Sequence, residues 1–334
     1  MKKSNLVLLL LASGLFLLPF INDSRTMLIL MTQIFIFAVF AMSYDVLLGF
    51  TGIVSFGHAM FFGIGAYGLA LCMKHFDATY FSFFLAVMIT LSLTAIVSYF
   101  VGILTLRLHS HFFAMLTLAV AGLFLVAAEK WRSLTLGRDG FTFRVPDLFK
   151  DRLSFYILSL VLMIVVYLFL RRFTESPFGK VLQAIRENEK RVESLGYRVI
   201  HYKVIANVVA GMTAGLAGMF YAMSLRFVNT TVFSTEVTLD ALLMTIIGGV
   251  GTLFGAVIGA GLIEFARHGL MDLAKVHWIF ERWIILFGIV YILVVMFFPA
   301  GIVGTAKIWW QKRTRKQPVK TESEAASDTE KNIS

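Results

Sequence analysis

The sequence predicts an all-α polytopic membrane protein, a bundle of roughly 8–10 transmembrane helices that includes short or broken ones. Three observations predict it. Of the 334 residues, 58% are hydrophobic and 15% are charged, whereas a soluble domain is nearer half apolar and about a quarter charged. The apolar residues gather in charge-free stretches, several of which reach the roughly 20 helical residues needed to cross a hydrocarbon core of about 30 Å. The net charge of +10 comes from basic residues concentrated in a few loops and the C-terminal tail. Such clustering fits the cytoplasmic loops of membrane proteins better than a nucleic-acid-binding surface. The single Cys72 lies in an apolar stretch and excludes an intrachain disulfide framework.

Met1-Lys2-Lys3 and the apolar run Leu6–Ile21 resemble a secretory signal. The run is long for one, and no small-x-small cleavage site precedes Asn22-Asp23-Ser24-Arg25, so a retained first helix with an internal N-terminus is expected. Met27–Leu48 is the second segment. The third, dense in glycine, runs from Gly52 to Met73, the fourth spans Tyr80–Leu106, and the fifth spans His111–Ala128. A polar loop, 129–153, leads to the sixth segment, Ser154–Leu170. The charged stretch Arg171–Lys203 precedes the seventh, Val204–Leu225. Leu239–Glu264 is apolar but interrupted by Gly248-Gly249-Val250-Gly251, and Trp283–Phe298 is stopped by Pro299. These segments make residues 1–304 one membrane domain. The tail, 305–334, is basic and then Ser/Glu-rich, a composition of disordered cytoplasmic chain.

Positive charge sets the orientation. Arg171–Lys203 carries eight Lys and Arg, which places it inside, and six crossings from an internal N-terminus place it there as well. Loop 129–153 runs against the rule: outside by this count, it holds six basic residues against four acidic ones over Glu129–Arg152. Parity then requires Leu239–Glu264 to begin and end on one side. Its 26 residues, at about 1.5 Å each, cannot cross twice. Two short helices bent at Gly248–Thr252 meet that requirement, and such a break is tolerated only within protein or beside a water-filled path. One ordinary helix, with a different count elsewhere, is the alternative.

Glycines four apart (Gly251, Gly255 and Gly259; Gly211 and Gly215, with Gly218 three further) line helix faces and let backbones approach. Gly49, Thr51, Gly52, Ser55, Gly57 and His58 cluster where the third segment begins, flanked by Asp45. Ionisable groups in a span are functional candidates. For His58 a structural hydrogen bond competes with substrate contact, and Asp45 is close enough to a helix end to reach the interface. No H-E-x-x-H, G-x-S-x-G or phosphate-binding G-x-x-x-x-G-K-[ST] occurs, and no cluster has metal-ligand spacing. No catalytic residue, metal or cofactor is therefore assigned. Within the 172–203 loop, Ser176–Glu189 reads as one short helix with Pro177 in its first turn. Phe178, Val181, Leu182 and Ile185 form its apolar face, and Val192, Leu195 and Gly196 close the segment. Such a helix suits docking by a partner or lying on the bilayer surface.

Four stretches together resemble the branched-chain amino acid ABC-importer permeases: Leu48–Tyr67, Ser176–Tyr202 with its Ala-Ile-Arg-Glu-Asn-Glu core, Leu243–Gly261, and Phe297-Phe298-Pro299-Ala300-Gly301. The resemblance covers most of Met27–Gly304 and implies a bacterial inner-membrane subunit with both termini cytoplasmic. It implies a homologous second permease as heterodimer partner and an external substrate-binding protein. Two cytoplasmic ATPase subunits would dock on Ser176–Gly196, through Pro177, Phe178, Ala184, Ile185, Arg186, Glu187, Asn188, Glu189, Leu195 and Gly196. Gly49, Thr51, Gly52, Ser55, Gly57, His58, Gly248, Gly249 and Gly251 belong to its other motifs or to the translocation path. Gly137, Asp139 and Gly140 also fit the pattern, while Leu136 and Phe143-Arg144 depart from it. The permeases of urea and short-amide importers share much of this pattern. An ion-coupled secondary transporter would need more buried carboxyls than Asp45 and Glu264, and an intramembrane enzyme would need a paired catalytic constellation.

Overall fold

A computed structural model describes residues 13–16, 18–19, 24–76, 79–106, 110–274, 288, 292, 296 and 301–305. Most of the expected first segment Leu6–Ile21, nearly all of Trp283–Phe298, Pro299 and the tail beyond residue 305 lie outside the described residues. Among those described, six helices are long and apolar enough to cross a bilayer, and the protein is an all-α polytopic membrane protein.

Helix α1 (Arg25–Asp45) runs through the middle of the bundle and is buried on all sides from Ile34 onward. A helix apolar all round is stable only where protein or lipid surrounds it. It does not stop at Leu48 but continues as a π-helical turn, Val46–Thr51. The third segment starts later than expected: Gly52–His58 is irregular, and α2 spans Ala59–His75. Then follow α3 (Tyr80–Thr105), α4 (Ser110–Lys130) and α5 (Arg152–Glu175). The Asp151 carboxyl caps α5, accepting from Ser154 N at 3.0 Å. That bond and a second from Ser154 Oγ at 2.7 Å hold its pKa below the usual carboxylate value.

The charged stretch is mostly helical, with α5 ending at Glu175 and α8 (Val199–Leu225) beginning inside it. Between them lie two helices rather than one, α6 (Pro177–Glu187) and α7 (Glu189–Ser194). Asn188, in extended backbone, breaks the helix, and its side chain caps α7 by accepting from Arg191 N at 3.0 Å.

The segment around Leu239–Glu264 is a hairpin whose arms are unequal. The first, α9 (Thr235–Gly248), has 14 residues, about 21 Å, too short to cross. The second, α10 (Leu253–Ala274), runs on past Glu264 and has the length of a full span. Arg267 fastens the arms together, meeting Asp240 of α9 at 2.8 Å and Glu264 of α10 at 3.1 Å. A charge inside a span survives by such pairing.

Small residues let the helices close on one another. A Cβ on Gly218 of α8 would strike the Phe62 carbonyl of α2, and one on Gly65 would strike the Gly215 carbonyl. On α3, Thr90, Thr94 and Ser98 are four apart and fully buried. Ser98 Oγ donates to Asn207 O at 2.7 Å and Asn207 Nδ2 to Ser98 O at 2.8 Å, tying α3 to α8. The outer surfaces of α3 and α4 expose Phe81, Phe84, Phe100, Leu104, Phe112 and Met115, as lipid-facing helices do.

Two faces of the bundle are distinct. On one, Phe141 and Thr142 of loop 129–153 (β1) pair antiparallel with Val228 and Phe227 (β2), so that loop and the segment following α8 share a face. The other face carries α6 and α7, reached from the first by the lengths of α5 and α8.

Gly218→Val is expected to lower stability by about 1–3 kcal/mol through overpacking. Gly269→Ala, at a glycine with no neighbouring atom within 4 Å of the added carbon, leaves it unchanged or raises it. Thermal unfolding midpoints of the detergent-solubilised variants distinguish the two.

Candidate functional site

The resemblance-bearing stretches, far apart in sequence, meet at one place on the α6 face. The first contribution is the break after α1. Its π-helical turn ends at Gly52, whose φ of +73° is a left-handed conformation that glycine adopts without strain. Ile53 N returns to Leu47 O at 3.1 Å, and Thr51 Oγ1 donates to the same carbonyl at 2.5 Å. Breaks of this kind in a helix are frequent at functional sites.

The hairpin tip is the second contribution. Gly249 and Gly251 have φ of +124° and +80°, and Thr252 Oγ1 closes the turn onto Gly249 O at 2.6 Å. The tip lies directly on the π-helical turn: a Cβ on Gly49 would collide with the Gly251 backbone and with Asp45 Oδ1. Asp45 does not reach the interface. It is fully buried, and its Oδ1 accepts from Gly251 N at 2.7 Å. One carboxyl at the end of α1 thus holds the hairpin tip. Gly301, from the last of the four stretches, packs on the tip's other side, where a Cβ would strike the Gly249 backbone.

Arg186 completes the junction. Ser176 caps α6 by accepting from Gly179 N at 3.2 Å, with Pro177 in the first turn. Leu182 and Ile185 are buried, and Phe178 packs between Phe173 of α5 and Tyr202 of α8. That docking points Arg186 at the tip. Its guanidinium donates to Gly49 O, and carbons added at Gly52 and Gly251 would each lie 3.0 Å from its side chain. A single arginine side chain therefore bonds the π-helical turn and lies beside the hairpin tip, while Ala184, Glu187, Asn188 and Glu189 remain exposed beside it. Leu195 is also exposed, and Gly196 turns the chain with a φ of +89°. Glu189 is tied to α8 by Lys203, with Nζ to Oε1 at 2.6 Å.

Ser55, Gly57 and His58 are carried away from this junction into the core. Ser43 donates its one hydroxyl proton to Phe40 O at 2.6 Å, so the 2.8 Å contact of His58 Nε2 with Ser43 Oγ is donated by the imidazole. The ring stacks on Phe40, and Tyr44 donates to Ser55 O at 3.0 Å. Ala59 N, an unpaired donor at the start of α2, is met by Thr238 Oγ1 at 2.9 Å. His58 is fully buried and bonded to α1, while the neighbouring Ala59 amide ties the start of α2 to α9. Sequence reasoning missed Ser43, Tyr44 and Thr238, because ordinary serines, tyrosines and threonines in apolar helices carry no spacing signal.

Asp45→Leu is expected to leave the Gly251 N–H unpaired, at a cost of about 1–3 kcal/mol. Asp45→Asn keeps an accepting oxygen and costs less. Hydrogen exchange across Gly248–Thr252 should speed up in the leucine variant and change little in the asparagine variant.

Comparison with known proteins identifies the family. The model of the family described as branched-chain amino acid transport system / permease component matches residues 26–317. The high-affinity branched-chain amino acid transport system permease proteins LivM of Salmonella typhimurium and Escherichia coli are each 24% identical, over 81% of this chain and 68% of theirs. The autoinducer 2 import system permease protein LsrC of Photorhabdus laumondii is 30% identical over 35% of this chain and 37% of its own. No solved structure matches. The match across residues 26–317 takes in the π-helical turn, Arg186, the hairpin tip and Gly301 alike, and the chain belongs to the permease-component family of branched-chain amino acid transport systems.

Proposed function

We propose that the protein is the transmembrane permease subunit of an ATP-driven importer for branched-chain amino acids, and that α6 and α7 are its cytoplasmic handle. Arg186 carries this reading. An ATPase subunit seated on the exposed side of α6 moves that helix, and the Arg186 guanidinium passes the movement to the Gly49 carbonyl and the hairpin tip. Both receiving elements are breaks in helices, where backbone changes direction without unwinding a full turn. Two ATPases, a second homologous permease and an external binding protein complete the assembly, and the chain itself contributes no hydrolytic chemistry. The substrate class rests on the family and on the two LivM relatives. The LsrC likeness covers about a third of the chain and supports the permease role without the amino-acid substrate. Urea and short amides remain the second substrate reading, because they share the motifs named above.

The α6 face is cytoplasmic in this reading, as are both termini, and the β1–β2 face is external. The eight basic residues of Arg171–Lys203 support that assignment. In a Cys72→Ser background, Ala184→Cys should react with impermeant maleimide only from the cytoplasmic side of oriented membranes. Labelling from outside overturns the scheme.

Reconstituted with its partner subunits, the wild type should accumulate radiolabelled leucine with ATP, and unlabelled valine should compete where urea does not. Arg186→Ala should keep the ATPases bound but slow transport about ten- to a hundredfold, the equivalent of one charge-assisted hydrogen bond. Arg186→Lys should recover part of the rate. Loss of ATPase binding instead would make Arg186 a docking residue and refute its role as a transmitter.

A further inference from the structure

The basic character of loop 129–153 is left unexplained by membrane topology. If that loop is external, as proposed above, its excess of Lys and Arg runs against the charge rule, and something other than topology must favour it. Part of that charge, together with Arg226 at the end of α8, rims a cavity of about 360 Å³ where α1, α5 and α8 end on the β1–β2 face. Lys150, Arg152 and Arg226 line it, and among the described residues no Asp or Glu does. Lys150 Nζ also meets Asp147 at 2.6 Å, but both side chains are largely exposed, and such pairs are weak.

The rim is built rather than incidental. Arg226 is a non-glycine residue with a φ of +52°, a conformation that costs about 1 kcal/mol or more. Its Nη2 donates to Lys150 O at 2.7 Å, which pins the basic loop to the end of α8. Below the rim the walls are apolar: Leu28 and Ile29 of α1, Phe155 of α5 and Met223 of α8. Ile29 is 43% exposed, so the apolar wall continues onto the outer surface of α1. Ser224 adds a hydroxyl near the rim, and Thr32 and Gln33, one turn further along α1 than Leu28 and Ile29, add polar side chains deeper in the lining.

We infer that this cavity binds an anionic phospholipid, with the phosphodiester against Arg152, Arg226 and Lys150 and an acyl chain along Leu28, Ile29 and Phe155. Three cations at the rim with Leu28, Ile29 and Phe155 within about one helical turn of it match an amphiphile at a membrane surface. An acidic patch on a partner protein would satisfy the cations but would leave the apolar walls without a purpose. The inference goes beyond the transport reading and needs no substrate.

The test uses the full chain in detergent, with native mass spectrometry and thermal unfolding as readouts. Phosphatidylglycerol should remain bound and raise the unfolding midpoint, whereas phosphatidylcholine should do neither. Lys150→Gln with Arg152→Gln should weaken phosphatidylglycerol about 30-fold, at ~1 kcal/mol per cation removed. Leu28→Ser with Ile29→Ser should weaken the lipid but leave any binding of glycerol phosphate unchanged. Equal retention of both lipids, or undiminished retention by the Lys150/Arg152 variant, overturns the inference. Full competition by millimolar glycerol phosphate also overturns it, reducing the site to one for free phosphate. A loss of binding-protein affinity with lipid retention unchanged assigns the rim to that partner instead. The orientation reading fails separately, through maleimide labelling at residue 184.

Discussion

Peptide groups inside a bilayer have no water to turn to, so every break in a helix must be sealed by the protein itself. This chain breaks its helices twice in one neighbourhood, after Asp45 and at Gly249–Thr252, and seals each break with the other. The bond from Gly251 N to Asp45 Oδ1 at 2.7 Å is the clearest instance. It binds the end of the central helix to a hairpin arm that is too short to cross alone. Glycines at 49, 251 and 301 follow from that closure, since each lies where a single added carbon would meet neighbouring atoms.

The sealing has a mechanical consequence. Interior elements packed this closely move between discrete arrangements rather than bending continuously. Force on a broken helix is therefore felt across its partner break. The only long charged side chain seen to reach both breaks among the described residues is that of Arg186, and it starts from a helix whose Phe178 is clamped between Phe173 and Tyr202. Clamp and pointer belong to one eleven-residue helix. The Lys203–Glu189 pair holds the following helix to α8, so the α6–α7 unit rests on two spans rather than hanging from a loop.

Buried charge plays a different part elsewhere. Arg267 between Asp240 and Glu264 adds an intramembrane carboxyl to those counted from sequence, yet the three groups are paired with one another across the hairpin arms. That arrangement fastens α9 to α10. It gives an ion-coupled mechanism no unpaired carboxyl at this position.

Much of the architecture was legible in the chain itself. Charge-free stretches of spanning length can only become buried or lipid-facing helices, so the spans Tyr80–Thr105 and Arg152–Glu175 emerge within a few residues of their sequence limits. The amphipathic face of Phe178, Val181, Leu182 and Ile185, and the interruption at Gly248–Gly251, were readable for the same reason: local periodicity and local backbone freedom are written locally. What only the tertiary structure decided was convergence. Asp45 looked able to reach water, and instead another segment's amide captures it 206 positions away. Gly52–His58 lay inside the expected third span but follows an irregular path, with Gly52 left-handed at its start and the Ala59 amide beyond it met by Thr238. The break at Asn188 and the target of Arg186 depend likewise on partners distant in sequence, and no periodicity records a partner that is not a neighbour.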